Sequence, residues 1–175
     1  MTFTRITWEQ LEKDCITLAK EIPAKGIHEI VSISRGGMVV SRILSDILDL
    51  PISHIAIESY ADLQQAKEPI VTQVSPREFK EETVLLVDEL ADSGKTFLRG
   101  ISYLQSLPIE KVYTAAPYIK SHTVYKPDYY LQTLDSWIIF PYELRETKEA
   151  FLKEFGSKEA AEKKMQELGF ADWEI

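Results

Sequence analysis

An apolar strand followed at once by an acidic loop and an amphipathic helix is the feature that most constrains the fold. The run ETVLLVD (82–88) contains four consecutive aliphatic residues, and after a short polar loop comes the run GKTFLRGISYLQSL (94–107). In this second run Phe97, Leu98, Ile101 and Leu104 recur at helical spacing. A continuous apolar strand leading into a helix is typical of a buried, mostly parallel sheet. The motif therefore predicts an α/β protein.

The same alternation of strands and helices recurs along most of the chain. Thr7 and Gln10 have capping-box spacing at the start of a predicted helix whose apolar face carries Leu11, Cys15 and Leu18. A second helix is predicted at MVVSRILSDILDL (38–50). The other predicted strands are HEIVSIS (28–34), ISHIAIES (52–59), KVYTAAPYI (111–119), YYLQTL (129–134) and WIIF (137–140). We expect a mostly parallel twisted sheet with helices on both faces.

Two segments depart from this alternation. Residues 60–81 are polar and contain two prolines between two predicted strands, a composition typical of a lid or a disordered insertion. Residues 143–175 are charged and helical in pattern, with Ser157 as the expected cap and Gly169 as the expected stop. We therefore predict a main domain at residues 1–145 and a C-terminal helical extension, residues 146–175, that packs on it.

Composition excludes several classes of protein. The formal net charge of −8 disfavours non-specific binding of nucleic acid, which needs a basic surface, although a pocket on an acidic protein can still be locally positive. Cys15 is the single cysteine, so an internal disulfide or a thiolate metal cluster is excluded. No apolar run is long enough to span a membrane, and the N-terminal residues do not resemble a signal peptide. A cytoplasmic protein is expected.

The loop at residues 88–96 predicts a phosphate site of a particular kind. A nucleotide-hydrolase loop needs a glycine five positions before the glycine of Gly-Lys-Thr, and Glu89 occupies that position. A helix that begins near Gly94 would still direct its free N–H groups towards a phosphate. Asp88 and Glu89, at the strand end, can accept hydrogen bonds from sugar hydroxyls or help to hold magnesium. The sequence therefore predicts a sugar-phosphate ligand.

Two motifs resemble those of the type I phosphoribosyltransferases. The run VLLVDELADSGKT is similar to that family's signature for phosphoribosyl pyrophosphate (PRPP), with Asp-Glu where Asp-Asp or Glu-Asp is commoner. The run VSISRGGMVVSRIL resembles its diphosphate loop. The resemblance implies the type I phosphoribosyltransferase fold with a small hood, which we place within residues 1–145.

The resemblance also implies roles for residues in these motifs. The 5′-phosphate of PRPP would lie on the loop Ala91, Asp92, Ser93, Gly94, Lys95 and Thr96. Asp88 and Glu89 would contact the ribose hydroxyls and Mg²⁺, the metal being held largely through PRPP and water. The diphosphate would bind Arg35, Gly36 and Gly37, and Asp92 is the candidate catalytic proton acceptor on the purine N7 side.

Further matches indicate the 6-oxopurine branch of the family. ESYAD resembles the start of the mobile catalytic loop, which assigns Ser59 and Tyr60 to closure over the diphosphate. PYIKS and DSWIIFPYE resemble the base pocket of xanthine-guanine enzymes. By this resemblance Lys120 donates to the purine O6 atom, Trp137 stacks on the ring, and the backbone near Ile138 reads the 2-position.

The implied enzyme transfers the phosphoribosyl group of PRPP to N9 of xanthine, guanine or hypoxanthine and releases diphosphate, which is a purine salvage reaction. Its expected partners are PRPP and a purine base, without nucleic acid, and its expected state is a homo-oligomer, dimeric or larger. Two alternatives remain open: a non-catalytic regulator that senses PRPP or a nucleotide, and a phosphoribosyltransferase for a different base.

Plainer interpretations exist for individual residues. Asp92 could simply cap the helix that follows it, Lys120 could be a surface lysine, and Trp137 could belong to the core. The histidines at 28, 54 and 122 lack metal-ligand spacing, and no chemistry is expected of them.

Overall fold

The computed structural model describes residues 2–23, 25–58, 61–62, 65–66, 68–75 and 77–175. It divides into two compact units. The larger unit is Glu12–Asp135, and the smaller one combines Met1–Leu11 with Ser136–Ile175.

Strands and helices alternate along the described residues. The helices are α1 (Trp8–Glu21), α2 (Gly37–Leu48), α3 (Lys95–Leu104), α4 (Leu144–Phe155) and α5 (Lys158–Glu167), followed by a 3₁₀ turn at Asp172–Glu174. The strands are β1 (Phe3–Arg5), β2 (Glu29–Ser34), β3 (Ile52–Glu58), β4 (Ala61–Asp62), β5 (Gln65–Ala66), β6 (Ile70–Gln73), β7 (Glu82–Val87), β8 (Leu90–Ala91), β9 (Ile109–Ala115), β10 (Tyr118–Ile119), β11 (Gln132–Thr133) and β12 (Trp137–Ile139). In the part of the chain that the structure describes, no helix is long and apolar enough to cross a membrane.

The larger unit is built on a five-stranded sheet with the order β6-β3-β2-β7-β9. Strands β3, β2, β7 and β9 are parallel, and β6 pairs antiparallel with β3 at one edge. The central strands β2 and β7 are buried along almost their whole length because both of their faces are covered. This arrangement confirms the predicted mostly parallel α/β fold.

Helix α3 packs closely on one face of this sheet. Phe97 and Leu104 are fully buried in a cluster with alternate residues of the strands, including Val31 and Leu86. Gly100 permits the close approach, since a Cβ atom at this position would lie 2.9 Å from Leu86 Cδ2. The intervening strand residues, which point to the opposite face, are also fully buried, as Ile30 and Leu85 illustrate.

The first predicted helix forms as expected. Thr7 Oγ1 accepts a hydrogen bond from the Gln10 amide at 3.1 Å, which places the cap immediately before α1. Leu11, Cys15 and Leu18 of the predicted apolar face are fully buried. Burial raises the pKa of the Cys15 thiol to about 12, so this residue is an inert part of the core.

The smaller unit contains the C-terminal helices. Strands β1 and β12 pair in parallel, and a core of Ile139, Phe151 and Met165 joins them to α4 and α5. Ser157 caps α5 through a hydrogen bond from the Ala160 amide, and Gly169 follows the helix with φ +81°, both as predicted. The smaller unit contains the predicted extension, residues 146–175, together with residues of the predicted main domain. The boundary at residue 145 therefore stays a prediction.

The polar segment at residues 60–81 contains three strands that the sequence pattern did not indicate, the two-residue strands β4 and β5 and the longer β6. Strand β6 pairs with β3, and its residues are mostly exposed because it lies at the edge of the sheet. The predicted strand YYLQTL is likewise shorter than expected, since only Gln132 and Thr133 form β11. Edge pairing depends on the neighbouring strand and leaves little hydrophobic periodicity in the sequence.

Two adjacent positions on α3 test the packing of this helix. Phe97→Ala would remove a fully buried ring, so the free energy of unfolding should fall by about 3–5 kcal/mol. Leu98→Ala is the matched control, because Leu98 is 45% exposed and its truncation should cost less than about 1 kcal/mol. Urea unfolding of the two variants measures the difference, and equal losses would contradict the described packing of α3.

Candidate active site

The acid pair lies at the carboxyl end of β7. Asp88 is 9% exposed, its amide donates to the Ala115 carbonyl at 3.1 Å, and its Oδ1 accepts from the Glu89 amide at 2.9 Å. Burial raises the pKa of the Asp88 carboxyl to about 7, and the hydrogen bond from Glu89 opposes the rise only in part. A nearby cation or a hydroxyl donor would stabilise the ionised form of such a buried carboxyl.

The segment Arg35–Gly37 lies directly against the acid pair. A Cβ atom on Gly36 would lie 2.5 Å from Glu89 Oε1 and 3.0 Å from Asp88 Oδ1. A Cβ atom on Gly37 would collide with the Val87 carbonyl oxygen, at the point where α2 begins. Both glycines are therefore required by close packing between the loop after β2 and the loop after β7. Arg35 is exposed beside them.

The predicted phosphate loop connects β8 to α3. Ala91 ends β8, Gly94 has φ +81° and precedes the first residue of α3, and Asp92 and Ser93 are exposed. Apart from a long hydrogen bond of 3.4 Å from the Lys95 amide to Ser93 Oγ, no side chain caps the start of α3, so Asp92 is not the cap that the plainer interpretation suggested. The first turn of α3 can therefore offer N–H groups to an anion.

A second chain segment runs along this loop. The Lys120 amide donates to the Ala91 carbonyl at 3.0 Å, and the Val124 amide donates to the Ser93 carbonyl at 3.0 Å. A Cβ atom on Gly94 would lie 2.6 Å from Thr123 Oγ1, so the two segments are in contact between these hydrogen bonds. The structure thus brings the predicted base residue Lys120 to the loop that contains Asp92.

Lys120 is buried, in contrast to the surface position that its plainer interpretation predicted. The residue is 7% exposed, and this burial lowers the pKa of its ammonium group, while Asp92 and Asp135 oppose the decrease. A buried ammonium group needs acceptors, and a ligand carbonyl oxygen is one that fits.

Two contacts between polar side chains at the loop were not predicted from the sequence. His122 Nε2 lies 3.0 Å from Asp92 Oδ1, and Lys95 Nζ lies 2.8 Å from Glu68 Oε1. Each pair joins residues far apart in the chain, so neither leaves a signal in local spacing. The structure brings His122 beside the candidate proton acceptor, and the expectation that the three histidines do no chemistry stays a prediction.

The remaining predicted site residues belong to the smaller unit or lie outside the described residues. Trp137 and Ile138 belong to the smaller unit, where they pair with Phe3 and Thr4 of β1. Trp137 is 48% exposed and Ile138 is buried, so the plainer interpretation of Trp137 as a core residue is not supported. Ser59 and Tyr60 lie outside the described residues, and the mobile-loop prediction stays a prediction.

The described residues contain no group of three or more His, Cys, Asp or Glu side chains that could hold a metal ion by themselves. The available donors are the paired carboxylates of Asp88 and Glu89, which face the space that a side chain at Gly36 would fill. Carboxylate oxygens suit Mg²⁺, which keeps several water or phosphate ligands when few protein ligands are present. These residues fit a magnesium ion that a bound ligand completes.

Comparisons with known proteins define the class. A model of the phosphoribosyl transferase domain matches residues 7–147. The xanthine-guanine phosphoribosyltransferase of Cereibacter sphaeroides is 31% identical over 156 residues, covering 79% of this chain and 86% of the relative.

Two solved structures have the same fold. The purine phosphoribosyltransferase of Pyrococcus horikoshii Ot3 matches with a TM-score of 0.73 and 29% identity, covering 81% of this chain and 94% of that one. A Helicobacter pylori xanthine-guanine-hypoxanthine phosphoribosyltransferase matches with a TM-score of 0.72 and 27% identity, covering 84% and 99%.

This chain belongs to the phosphoribosyltransferase family. The match extends over more than half of its residues and includes both loops and the acid pair. The family and the type I fold predicted from the sequence are confirmed, while the roles of individual residues stay predictions.

The raised pKa of Asp88 predicts a pH dependence of stability in the protein free of magnesium and ligand. Its folded-state pKa of about 7 exceeds the ordinary 3.8, so the native state binds this proton more tightly than the unfolded chain does. The stabilisation is therefore full below the ordinary value and is lost as pH rises through about 7.

Urea unfolding across this range measures the effect by comparison with Asp88→Asn, whose neutral amide cannot titrate. Relative to this variant, the wild-type protein should lose stability as pH rises. Asp46→Asn, at an exposed pair with Arg42, is the control and should follow the wild-type profile. Parallel profiles for wild type and Asp88→Asn would contradict the raised pKa.

Proposed function

We propose that this protein transfers the 5-phosphoribosyl group of PRPP to N9 of a 6-oxopurine and releases diphosphate. The predicted class of activity, phosphoribosyl transfer to a purine in salvage, is confirmed by the family match and by the purine-specific relatives. The observation that carries the proposal is the contact of Gly36 with the acid pair at the carboxyl ends of β2 and β7. Ligands of open parallel sheets bind at this end of the strands.

The ribose phosphate is assigned to the acid pair and to the loop that follows it. Asp88 and Glu89 are assigned to accept hydrogen bonds from the ribose hydroxyls, which are donors that an ionised carboxylate can use. The 5′-phosphate is assigned to residues 91–96, where the start of α3 offers backbone N–H groups. Gly94 lets Thr123 and Tyr125 pack against this loop, since a Cβ atom there would lie 2.6 Å from Thr123 Oγ1 and 2.6 Å from the Tyr125 amide nitrogen.

The diphosphate is assigned to Arg35, Gly36 and Gly37. The planar guanidinium of Arg35 can bind phosphate oxygens through two parallel hydrogen bonds, and the glycines permit close approach of the backbone. Asp88 and Glu89 would hold magnesium, largely through PRPP and water, and the ion would supply positive charge beside the leaving group. As the bond at the anomeric carbon breaks, Arg35 stabilises the negative charge that develops on the diphosphate.

The base is assigned to Lys120, Trp137 and Ile138, each on the resemblance of its motif. Lys120 is a donor without acceptor capacity, so it suits a carbonyl oxygen at the purine 6-position and opposes an amino group. Trp137 supplies an exposed aromatic face for stacking, and the backbone near Ile138 reads the 2-position. Asp92 accepts the proton from the N7 side of the purine.

The proposed enzyme acts on small-molecule substrates. Its partners are PRPP and a purine base, without nucleic acid, which the net charge of −8 supports. We propose a cytoplasmic homo-oligomer, dimeric or larger. Closure of Ser59 and Tyr60 over the diphosphate would exclude the water that hydrolyses PRPP.

A panel of bases tests the assignment. With PRPP and magnesium, purified protein should use at least one of xanthine, guanine and hypoxanthine. The kcat/KM for adenine should be lower by at least about a hundredfold, because adenine would leave the buried Lys120 facing another donor. Lys120→Ala should reduce this preference and leave PRPP binding, measured by calorimetry, largely unchanged. Lys126→Ala, at an exposed lysine nearby, is the matched control and should keep the preference.

Two outcomes would contradict the proposal. Faster turnover of adenine, orotate or uracil than of all three 6-oxopurines would remove the base assignment. Tight PRPP binding without turnover of any base would favour the non-catalytic regulator.

A further inference from the structure

His122 lies outside the sequence motifs of the proposed site but contacts one of the site's residues, Asp92. Its Nε2 atom lies 3.0 Å from Oδ1 of Asp92, and both side chains are about two-thirds exposed. No motif of the sequence pointed to this residue, which lies 30 positions after its partner. The contact involves the carboxylate to which the proposed function assigns the proton transfer.

The position of His122 is fixed by its backbone. Hydrogen bonds from the Lys120 and Val124 amides to the phosphate loop flank it on both sides. The ring of Tyr125 stacks on Phe97 of α3 with 5.9 Å between centroids, and the Ser121 amide donates to Asp135 Oδ1 at 2.8 Å. The backbone of this segment is therefore held at several points. These contacts fix the position from which the His122 side chain extends towards Asp92.

The chemistry of the pair determines what His122 can contribute. A carboxylate that is to accept a proton is an anion, and an anionic carboxylate has no proton to donate in a hydrogen bond. The Nε2 atom is then the donor, and it engages Oδ1 while Oδ2 remains available to a ligand. Around this pair lie the ammonium group of Lys120 and the carboxylate of Asp135, which interact electrostatically with Asp92 and His122 respectively.

We propose that His122 is a positioning residue that orients the Asp92 carboxylate towards the purine by donating a hydrogen bond from Nε2 to Oδ1. This inference rests on the proposed function, because it assumes that Asp92 accepts the proton. The orientation matters since proton transfer requires the acceptor within hydrogen-bond reach of the donor. A free carboxylate on an exposed loop would spend part of its time in other rotamers.

Steady-state kinetics of paired variants test the role. His122→Leu removes the donor, whereas His122→Gln keeps an N–H donor near the position of Nε2. The kcat of the Leu variant should fall about fivefold, the upper scale for an exposed pair, while KM for PRPP stays unchanged. The Gln variant should recover most of the loss. His54→Leu is the control for loss of an exposed histidine outside the site and should retain wild-type kcat.

A double-mutant cycle distinguishes positioning from a general structural effect. Asp92→Asn should lower kcat by roughly a hundredfold as the proton acceptor is lost. In this background His122→Leu should have no further effect, because the group that it positions no longer accepts a proton. Thermal unfolding should show similar midpoints for all of these variants, since both side chains are largely exposed.

Three results would overturn the inference: wild-type kcat in His122→Leu, equal impairment of the Leu and Gln variants, or an equal loss from His122→Leu in the wild-type and Asp92→Asn backgrounds. Failure of the proposed function would look different. In that case the wild-type protein itself would turn over no purine, and the inference would fall with it.

Discussion

The parallel pairing of β2 with β7 is the interaction on which the candidate site depends. These strands are aligned so that Val31 lies opposite Leu86 and Ser32 opposite Val87. Because both strands point the same way, the loops that follow them leave the sheet at the same edge. The loop after β2 therefore meets the loop after β7, and only glycine at positions 36 and 37 leaves room for the contact.

The site consists of two backbone features arranged around one acid pair. The glycine loop before α2 and the start of α3 each offer polar backbone groups, and both features require a residue without a side chain. Burial of Asp88 adds a carboxyl whose ionisation depends on what binds beside it. This combination favours a ligand that brings hydroxyls, phosphates and a cation together.

Much of this arrangement could be predicted from the sequence because the central elements carry strong local signals. The continuous apolar run of β7 and the helical periodicity of α3 gave the order of elements, and the acid pair and glycines gave the ligand class. Strand β6 was missed because an exposed edge strand shows no apolar alternation. The pairing of His122 with Asp92 was missed because it arises from the path of a distant segment along the loop.

Most of the C-terminal helical region is not part of the matched family domain, since residues 148–175 lie beyond it. Arg5 of β1 binds both carboxylate oxygens of the buried Glu174, at 2.7 and 2.9 Å, and its guanidinium carbon lies 4.0 Å from the centre of the Phe170 ring. A buried pair of this kind contributes little net stability but is costly to break on one side only. It specifies where the last turn of the chain packs against β1.

We propose that two separate loops bind the two anionic ends of one ligand. Backbone amide chemical shifts during NMR titration test it most directly, with ribose 5-phosphate and magnesium diphosphate as separate probes. The account predicts that ribose 5-phosphate perturbs the amides of residues 92–96 most, and that magnesium diphosphate perturbs those of residues 35–37 most. Perturbation of the same loop by both probes, or of neither loop by either, would contradict it.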